Sequence, residues 1–212
     1  MLPDRRLVSG ALARAGVRIA PAAVPRAHYR AVRALDRDQG ARSYIDAFCA
    51  ALGVSLASAI TALSELDEPG RSGKVLWSEP TPGGIEAVRA LRRAGFAVLV
   101  VTNSDGYAAE NLRDAGVLAR TGLAEADVID SVVVGSAKPD TAIFDAALER
   151  AGVERTEVVH VGDMLSTDVA GALAAGITPI HLDPYRSCRS PEHRHIRSLR
   201  GIWAHAGGRP KD

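Results

Sequence analysis

The sequence predicts an α/β protein, a parallel sheet with helices between its strands, preceded by a segment that is helical throughout. Three observations carry this. From Pro80 onward, short runs rich in Val and Ile alternate with amphipathic stretches, the pattern of βαβ units. Residues 1 to about 70 show only the 3.6-residue apolar period of helices. Between these two textures, Glu68-Pro69-Gly70-Arg71-Ser72-Gly73 carries neither period. The spacing therefore divides the chain into a helical domain, residues 1–74, and an α/β domain, residues 75–212.

In chain order, Leu7, Val8, Ala11, Leu12 and Ala15 recur at helical spacing, and Gly16 follows as a stop. A second helix starts between Pro21 and Pro25 and uses Tyr29, Val32 and Leu35. The third presents Tyr44, Ile45, Phe48, Cys49 and Leu52 before Gly53, and Ser55 can cap a fourth with the stripe Leu56, Ala59, Ile60, Leu63 and Leu66. Each helix has one apolar stripe that needs a partner, so the four are expected to form a small bundle.

In the second half, a helix over 83–94 precedes the strand Ala97-Val98-Leu99-Val100-Val101. A helix over 107–115 precedes a strand expected near Ser131-Val132-Val133-Val134. A third helix, with Ile143, Phe144, Ala147, Leu148 and Ala151 on one face, precedes the strand Val158-Val159-His160-Val161. The helix 169–175 then leads to the strand Thr178-Pro179-Ile180-His181-Leu182. The Arg- and His-bearing tail from Pro184 reads as a solvated basic face with one short helix over 196–203.

Composition excludes several function classes. With 26 basic against 25 acidic residues, no global field favours nucleic acid or an anionic membrane. No window approaches the roughly 18 uncharged apolar residues of a membrane span, and the N-terminal apolar run meets Arg14 too soon for a signal sequence. A cytoplasmic location is expected. Cys49 and Cys188 are far apart and read as buried or incidental thiols without partners at metal-ligand spacing.

Open α/β sheets bind ligands beyond the carboxyl ends of their strands, so the residues just past each strand carry the candidate chemistry. Thr102, Asn103 and Ser104 offer hydroxyls and backbone N–H groups to a phosphate, although Thr102 or Ser104 serves equally well as a helix cap. Lys138, held by Pro139 before Asp140, offers a cation, where an isolated Lys-Pro-Asp would be an ordinary helix start. Gly162 permits a sharp turn into Asp163, and Asp168 opens the next helix, so two carboxylates can face one crevice and suit Mg²⁺; the alternative gives them turn and cap roles. His160 reads as a sheet-face histidine, not as a base. There is no nucleophile elbow, zinc spacing or dinucleotide glycine fingerprint.

Together, Val98 to Asn103, Lys138-Pro139-Asp140, Gly162 to Asp168 with its continuation Val169-Ala170-Gly171-Ala172, and Ala175-Gly176-Ile177 resemble the haloacid dehalogenase (HAD) superfamily over about residues 75 to 185. The resemblance implies a Rossmannoid parallel sheet with the preceding helices as a cap. It implies that Thr102 binds the transferring phosphoryl group, with Asn103 beside it, that Lys138 stabilises the phosphoryl charge, that Asp163 ligates Mg²⁺ and that Asp168 supports the metal shell. Members commonly begin with a strand ending in Asp-x-Asp, whose first carboxylate attacks phosphorus. The segment Met1-Leu2-Pro3-Asp4 resembles the stretch just after such a strand, so the first core strand is missing from this sequence. A strand encoded upstream, a strand from another chain, and a genuine loss are the three alternatives.

The resemblance thus implies a Mg²⁺-dependent phosphatase acting on a small phosphorylated metabolite and impaired in this chain. The first alternative is an inactive phosphate- or metabolite-binding or protein-interaction protein, and the second is a haloacid dehalogenase. A sheet without its central strand is expected to split, to recruit Leu2 to Val8, or to be completed by a partner, with a tendency to homodimerise or aggregate.

Overall fold

The computed structural model describes residues 1–38, 41–66 and 76–205. Glu68 to Gly73, where the sequence places its domain boundary, lies outside the described residues. The chain forms two compact units, Met1–Pro80 and Thr81–Asp212.

The first unit is helical, with α1 (Arg5–Arg14), α2 (Ala23–Arg37), α3 (Tyr44–Leu52) and α4 (Leu56–Ser64). Asp4 caps α1 by accepting from the N–H groups of Arg6 and Leu7, and Ser43 caps α3 by accepting from Asp46 N–H. Gly53 ends α3 in the left-handed region, at φ 73°, where a side chain would be strained. The apolar stripes converge on Val8, Leu12, Val24, Ala31, Phe48 and Leu63, all buried. Leu2 pairs with Glu79 in an isolated antiparallel bridge, and Arg5 forms an ion pair with the Glu79 carboxylate. Leu2 to Val8 is therefore a bridge followed by helix, and is not recruited into a parallel sheet.

The second unit alternates helix and strand: α5 (Gly84–Arg93), β1 (Val100–Thr102), α6 (Ala108–Asp114), α7 (Val117–Thr121), β2 (Val128–Asp130), α8 (Ser131–Val134), α9 (Thr141–Ala151), β3 (Val159–Gly162), α10 (Ala170–Ala174), β4 (Thr178–Leu182) and β5 (Arg194–Ile196). Pairing is parallel throughout. β1 pairs with β2, Thr102 opposite Asp130, while β3 pairs with β4, Gly162 opposite His181, and β4 with β5, His181 opposite His195. Among the described residues, the two-stranded and three-stranded sheets do not pair with each other.

Alternation along the strands sets the core. Val100 and Val128 pack toward Ile85, Leu112 and Leu118, whereas Val101 and Ile129 face Ile143, Phe144, Ala172 and Ile177 on the other side. Ile180, Leu182 and Ile196 form a third cluster with Val159 and Val161.

Two sequence expectations are corrected. The run Ser131 to Val134 is a helical turn and the strand is Val128–Asp130. Asp130 accepts from Val132 N–H and starts the turn, Gly135 ends it at φ 76°, and Val132 and Val133 stand 61% and 75% exposed. A good cap thus overrides the β preference of a valine run. The tail contributes the strand β5 and then a 3₁₀ segment, Leu199–Ala204, where the sequence suggested a helix over 196–203.

Candidate functional site

The strand ends of β1 and β3 bring Thr102, Asn103, Lys138 and Asp168 together. The Asn103 side chain clamps the backbone of Lys138: its Oδ1 accepts from Lys138 N–H at 2.8 Å and its Nδ2 donates to Lys138 O at 2.9 Å. So held, Lys138 turns inward. Its Nζ donates to Val101 O at 2.9 Å and to Asp168 Oδ1 at 2.6 Å. Both side chains are nearly buried, at 11% and 7% exposure, so removing either would strand a desolvated charge. An ammonium group has three protons, and the described residues engage two of them, which leaves one for a ligand. Among the described residues, Thr102 Oγ1 makes only a long 3.4 Å contact with Asn103 O, so its hydroxyl can turn to an incoming anion.

Asp168 sits in a single π-helical turn, Leu165–Val169, that leads into α10. The turn folds its carboxylate back over β3. Met164 N–H donates to Oδ2 at 3.0 Å, and His160 Nε2 lies 3.1 Å from Oδ1, which accepts, so the ring proton is on Nε2. Gly162 is the condition for this approach: a Cβ there would stand 2.1 Å from Asp168 Cγ. Burial alone would raise the Asp168 carboxyl, but the His160 hydrogen bond and the Lys138 charge overcome it and hold the group well below the usual carboxylate range.

His160 therefore belongs to the site, contrary to its reading as a plain sheet-face residue. Its ring packs edge-on against Phe144 at 5.1 Å and reaches Asp168, eight residues on, because the π turn brings that carboxylate over the strand.

The expected Mg²⁺ site is not what these residues build. Three donors already converge on Asp168, two on Oδ1 and one on Oδ2. A Mg²⁺ ion would need those oxygens free, with further oxygen ligands around it. Among the described residues, the group with metal-ligating geometry lies elsewhere and is made of nitrogen and sulfur: His181, Cys188, His193 and His195, whose ligand atoms all lie within 4.8 Å of one another. Such donors suit a transition metal and not Mg²⁺. The expectation of Mg²⁺ as the cofactor is accordingly corrected.

Asp163 stands at the tip of β3 and its carbonyl is 3.3 Å from His181 Nε2, so it borders this second cluster. The sequence reading missed the cluster by taking Cys188 as incidental and the tail histidines as solvated. No local pattern announces it: His181 is in β4, His195 is its register partner in β5, and His193 and Cys188 come from the connection between the two strands. Cys49, by contrast, is buried in α3, and burial raises its thiol.

Asp183 organises the connection between β4 and β5. It accepts from Cys188 N–H at 2.8 Å and from Ser187 Oγ at 3.0 Å. Burial would raise its carboxyl, but these hydrogen bonds prevail and lower it. Burial, then the neighbouring His195 and His181, push the His193 imidazole down and favour its neutral form.

Known proteins share this architecture. The family model for haloacid dehalogenase-like hydrolases matches residues 8–176. Pyrimidine 5'-nucleotidase YjjG of Escherichia coli (strain K12) is 36% identical over 111 residues, 50% of this chain and 46% of that protein. Glyceraldehyde 3-phosphate phosphatase of Methanopyrus kandleri is 33% identical over 111 residues, 51% of this chain and 46% of that one. The chain thus aligns with a little under half the length of these curated relatives. Among solved structures, the putative HAD-hydrolase YfnB of Bacillus subtilis superposes with a TM-score of 0.63 at 16% identity, covering 97% of this chain and 94% of that one. A HAD phosphatase from Thermococcus onnurineus gives 0.57 at 24% identity, covering 98% and 89%. These two likenesses concern the fold. With the strand-end lysine and aspartate in place and the family model spanning most of the sequence, the chain belongs to the haloacid dehalogenase-like hydrolase family.

Proposed function

We propose that this chain binds a small phosphorylated metabolite at the ends of β1 and β3 and does not by itself turn it over. The observation behind this reading is the closed contact between Lys138 and Asp168. The carboxylate against the lysine is ionised, buried and already accepts from Lys138, His160 and Met164, so it is a structural counter-ion and not an attacking group. Among the described residues, no strand ends in Asp-x-Asp. The triplet Asp36-Arg37-Asp38 lies at the end of a helix, with Asp38 paired to Arg42. What remains for a phosphate is the third Lys138 proton, the Thr102 hydroxyl and the backbone beyond β1. These groups can bind an anion, but they supply no nucleophile.

Calorimetric titration of the 212-residue chain with inorganic phosphate, paired with a phosphomonoester hydrolysis panel, tests the reading. Binding weakened at least about tenfold by Lys138→Ala, with no hydrolysis above background, is expected. Turnover that Lys138→Ala abolishes would overturn it.

A second reading, hydrolysis of a small phosphomonoester, is favoured by the activities for which the two relatives are named, a nucleotidase and a phosphatase. It needs a carboxylate from outside the described residues. The same panel, repeated with a peptide carrying a hydrophobic strand ending in Asp-x-Asp, separates the two readings: restored turnover supports the second.

A further inference from the structure

We propose that His181, Cys188, His193 and His195 hold one structural Zn²⁺ ion that fastens the β4–β5 connection. The proposal is independent of the phosphate reading.

Two of the four ligands are placed by the sheet and two by the connection between its strands. His181 and His195 are register partners on the parallel strands β4 and β5, so their side chains lie side by side. His193 lies just before β5, and its ring centroid stands 4.6 Å from that of His195. Cys188 is delivered by the loop that Asp183 holds through Cys188 N–H and Ser187 Oγ. The three imidazole centroids are 4.6–5.3 Å apart, and all four ligand atoms fall within 4.8 Å of one another.

Tetrahedral zinc with its usual bond lengths puts neighbouring ligand atoms about 3.3–3.6 Å apart. The separation of Cys188 Sγ and His193 Nε2, 3.7 Å, is already close to that value. The remaining distances need only side-chain adjustment.

The outer contacts are those of ligating histidines. His181 Nε2 is 3.3 Å from Asp163 O, and His195 Nε2 is 3.0 Å from Ser190 O. A proton held on Nε2 by a carbonyl leaves the lone pair on Nδ1 for the metal and fixes the ring's orientation. A set of three imidazoles and one thiolate suits zinc and rejects Mg²⁺ and Ca²⁺. Four protein ligands close the coordination sphere, which assigns the ion a structural role and not a catalytic one. Because His181 also touches Asp163 O, the bound ion would steady the tip of β3 as well as the connection between β4 and β5.

The test uses the tag-free full chain, stripped with chelator, reloaded with Zn²⁺ and passed through gel filtration. About one zinc per chain and a rise of more than about 5 °C in unfolding midpoint over the stripped protein are expected. In the Co²⁺-loaded protein, a thiolate-to-cobalt charge-transfer band is expected that Cys188→Ser removes and Cys49→Ala leaves in place. His195→Ala should lower the zinc retained to below half. Retention under about 0.1 zinc per chain, or a cobalt spectrum that Cys188→Ser leaves unchanged, overturns the proposal. Should Cys188→Ser fail to fold, the wild-type cobalt spectrum decides: a charge-transfer band supports the site and its absence overturns it.

Discussion

Lys138 is the residue on which the strand ends depend, because it is the cation shared by the Val101 carbonyl on β1 and the Asp168 carboxylate beside β3. Lys138→Met would leave a buried carboxylate with only His160 and Met164 N–H as partners. A loss of about 3 kcal/mol is expected in urea unfolding, and a loss below about 0.5 kcal/mol would show the pair to be unimportant. Gly162→Ala drives a methyl into Asp168, where the nearest atom would be 2.1 Å away. Destabilisation of about 1–3 kcal/mol, with loss of phosphate binding, is expected from the same unfolding experiment and a titration. The sign of the acid dependence comes from the lowered Asp168 carboxyl. Its contribution is complete above the unfolded aspartate value of about 3.9 and is lost as pH falls from there toward the lower folded value. Thermal midpoints measured from pH 6 to pH 3 should therefore drop most below about 4, and less so in Lys138→Met, whose Asp168 is less depressed. At this scale the sequence was partly legible. Lys138 and Asp168 stand out because each follows a Val-rich run. Their capture of one another was not visible, since it depends on a π turn that no local pattern announces. The same turn is what carries His160 from a sheet-face position into the site.

At the scale of elements, Asp130 organises several turns at once. Its Oδ2 accepts from Gly106 N–H and Ala108 N–H, and its Oδ1 from Val132 N–H, so one buried carboxylate starts α6 and α8 together. Ser131 adds a second tie, accepting from Ser104 N–H at 3.0 Å and donating to Ser104 O at 3.1 Å. Asp130→Ala should cost about 1–3 kcal/mol by leaving these donors unsatisfied. Amide exchange should accelerate first at Gly106, Ala108 and Val132; protection unchanged there would refute the role. These ties also explain where element prediction failed. A reading by β-branched content puts the strand at Ser131 to Val134, but the Asp130 side chain is committed to a helix start, and pairing with β1 stops at Asp130. Strands flanked by long apolar stripes, such as β4, were legible to the residue, because Thr178 to Leu182 is buried after its first position and bounded by Gly176 and Asp183. β5 was hidden because three residues among arginines and histidines carry no apolar alternation.

At the scale of the whole molecule, the unusual feature among the described residues is a parallel sheet in two pieces within one unit. Val101 and Ile129 from the two-stranded piece share a core cluster with Phe144 and Ile177, and the polar chain from Val101 O through Lys138 and Asp168 to His160 runs from one piece to the other. Unpaired strand edges favour association, so a dimer or larger species is expected from gel filtration with light scattering at micromolar concentration. A monomer throughout that range would argue that these edges are protected. The family was readable from strand-end motifs, but the metal chemistry was not, because its ligands converge only when β4 and β5 pair. An anion site without turnover is checked by titrating phosphate into the 212-residue chain while assaying phosphomonoester hydrolysis on the same preparation. Saturable binding that Lys138→Ala weakens at least about tenfold, with no product above background, is the expected result; Lys138-dependent turnover, or no phosphate binding at all, would contradict it.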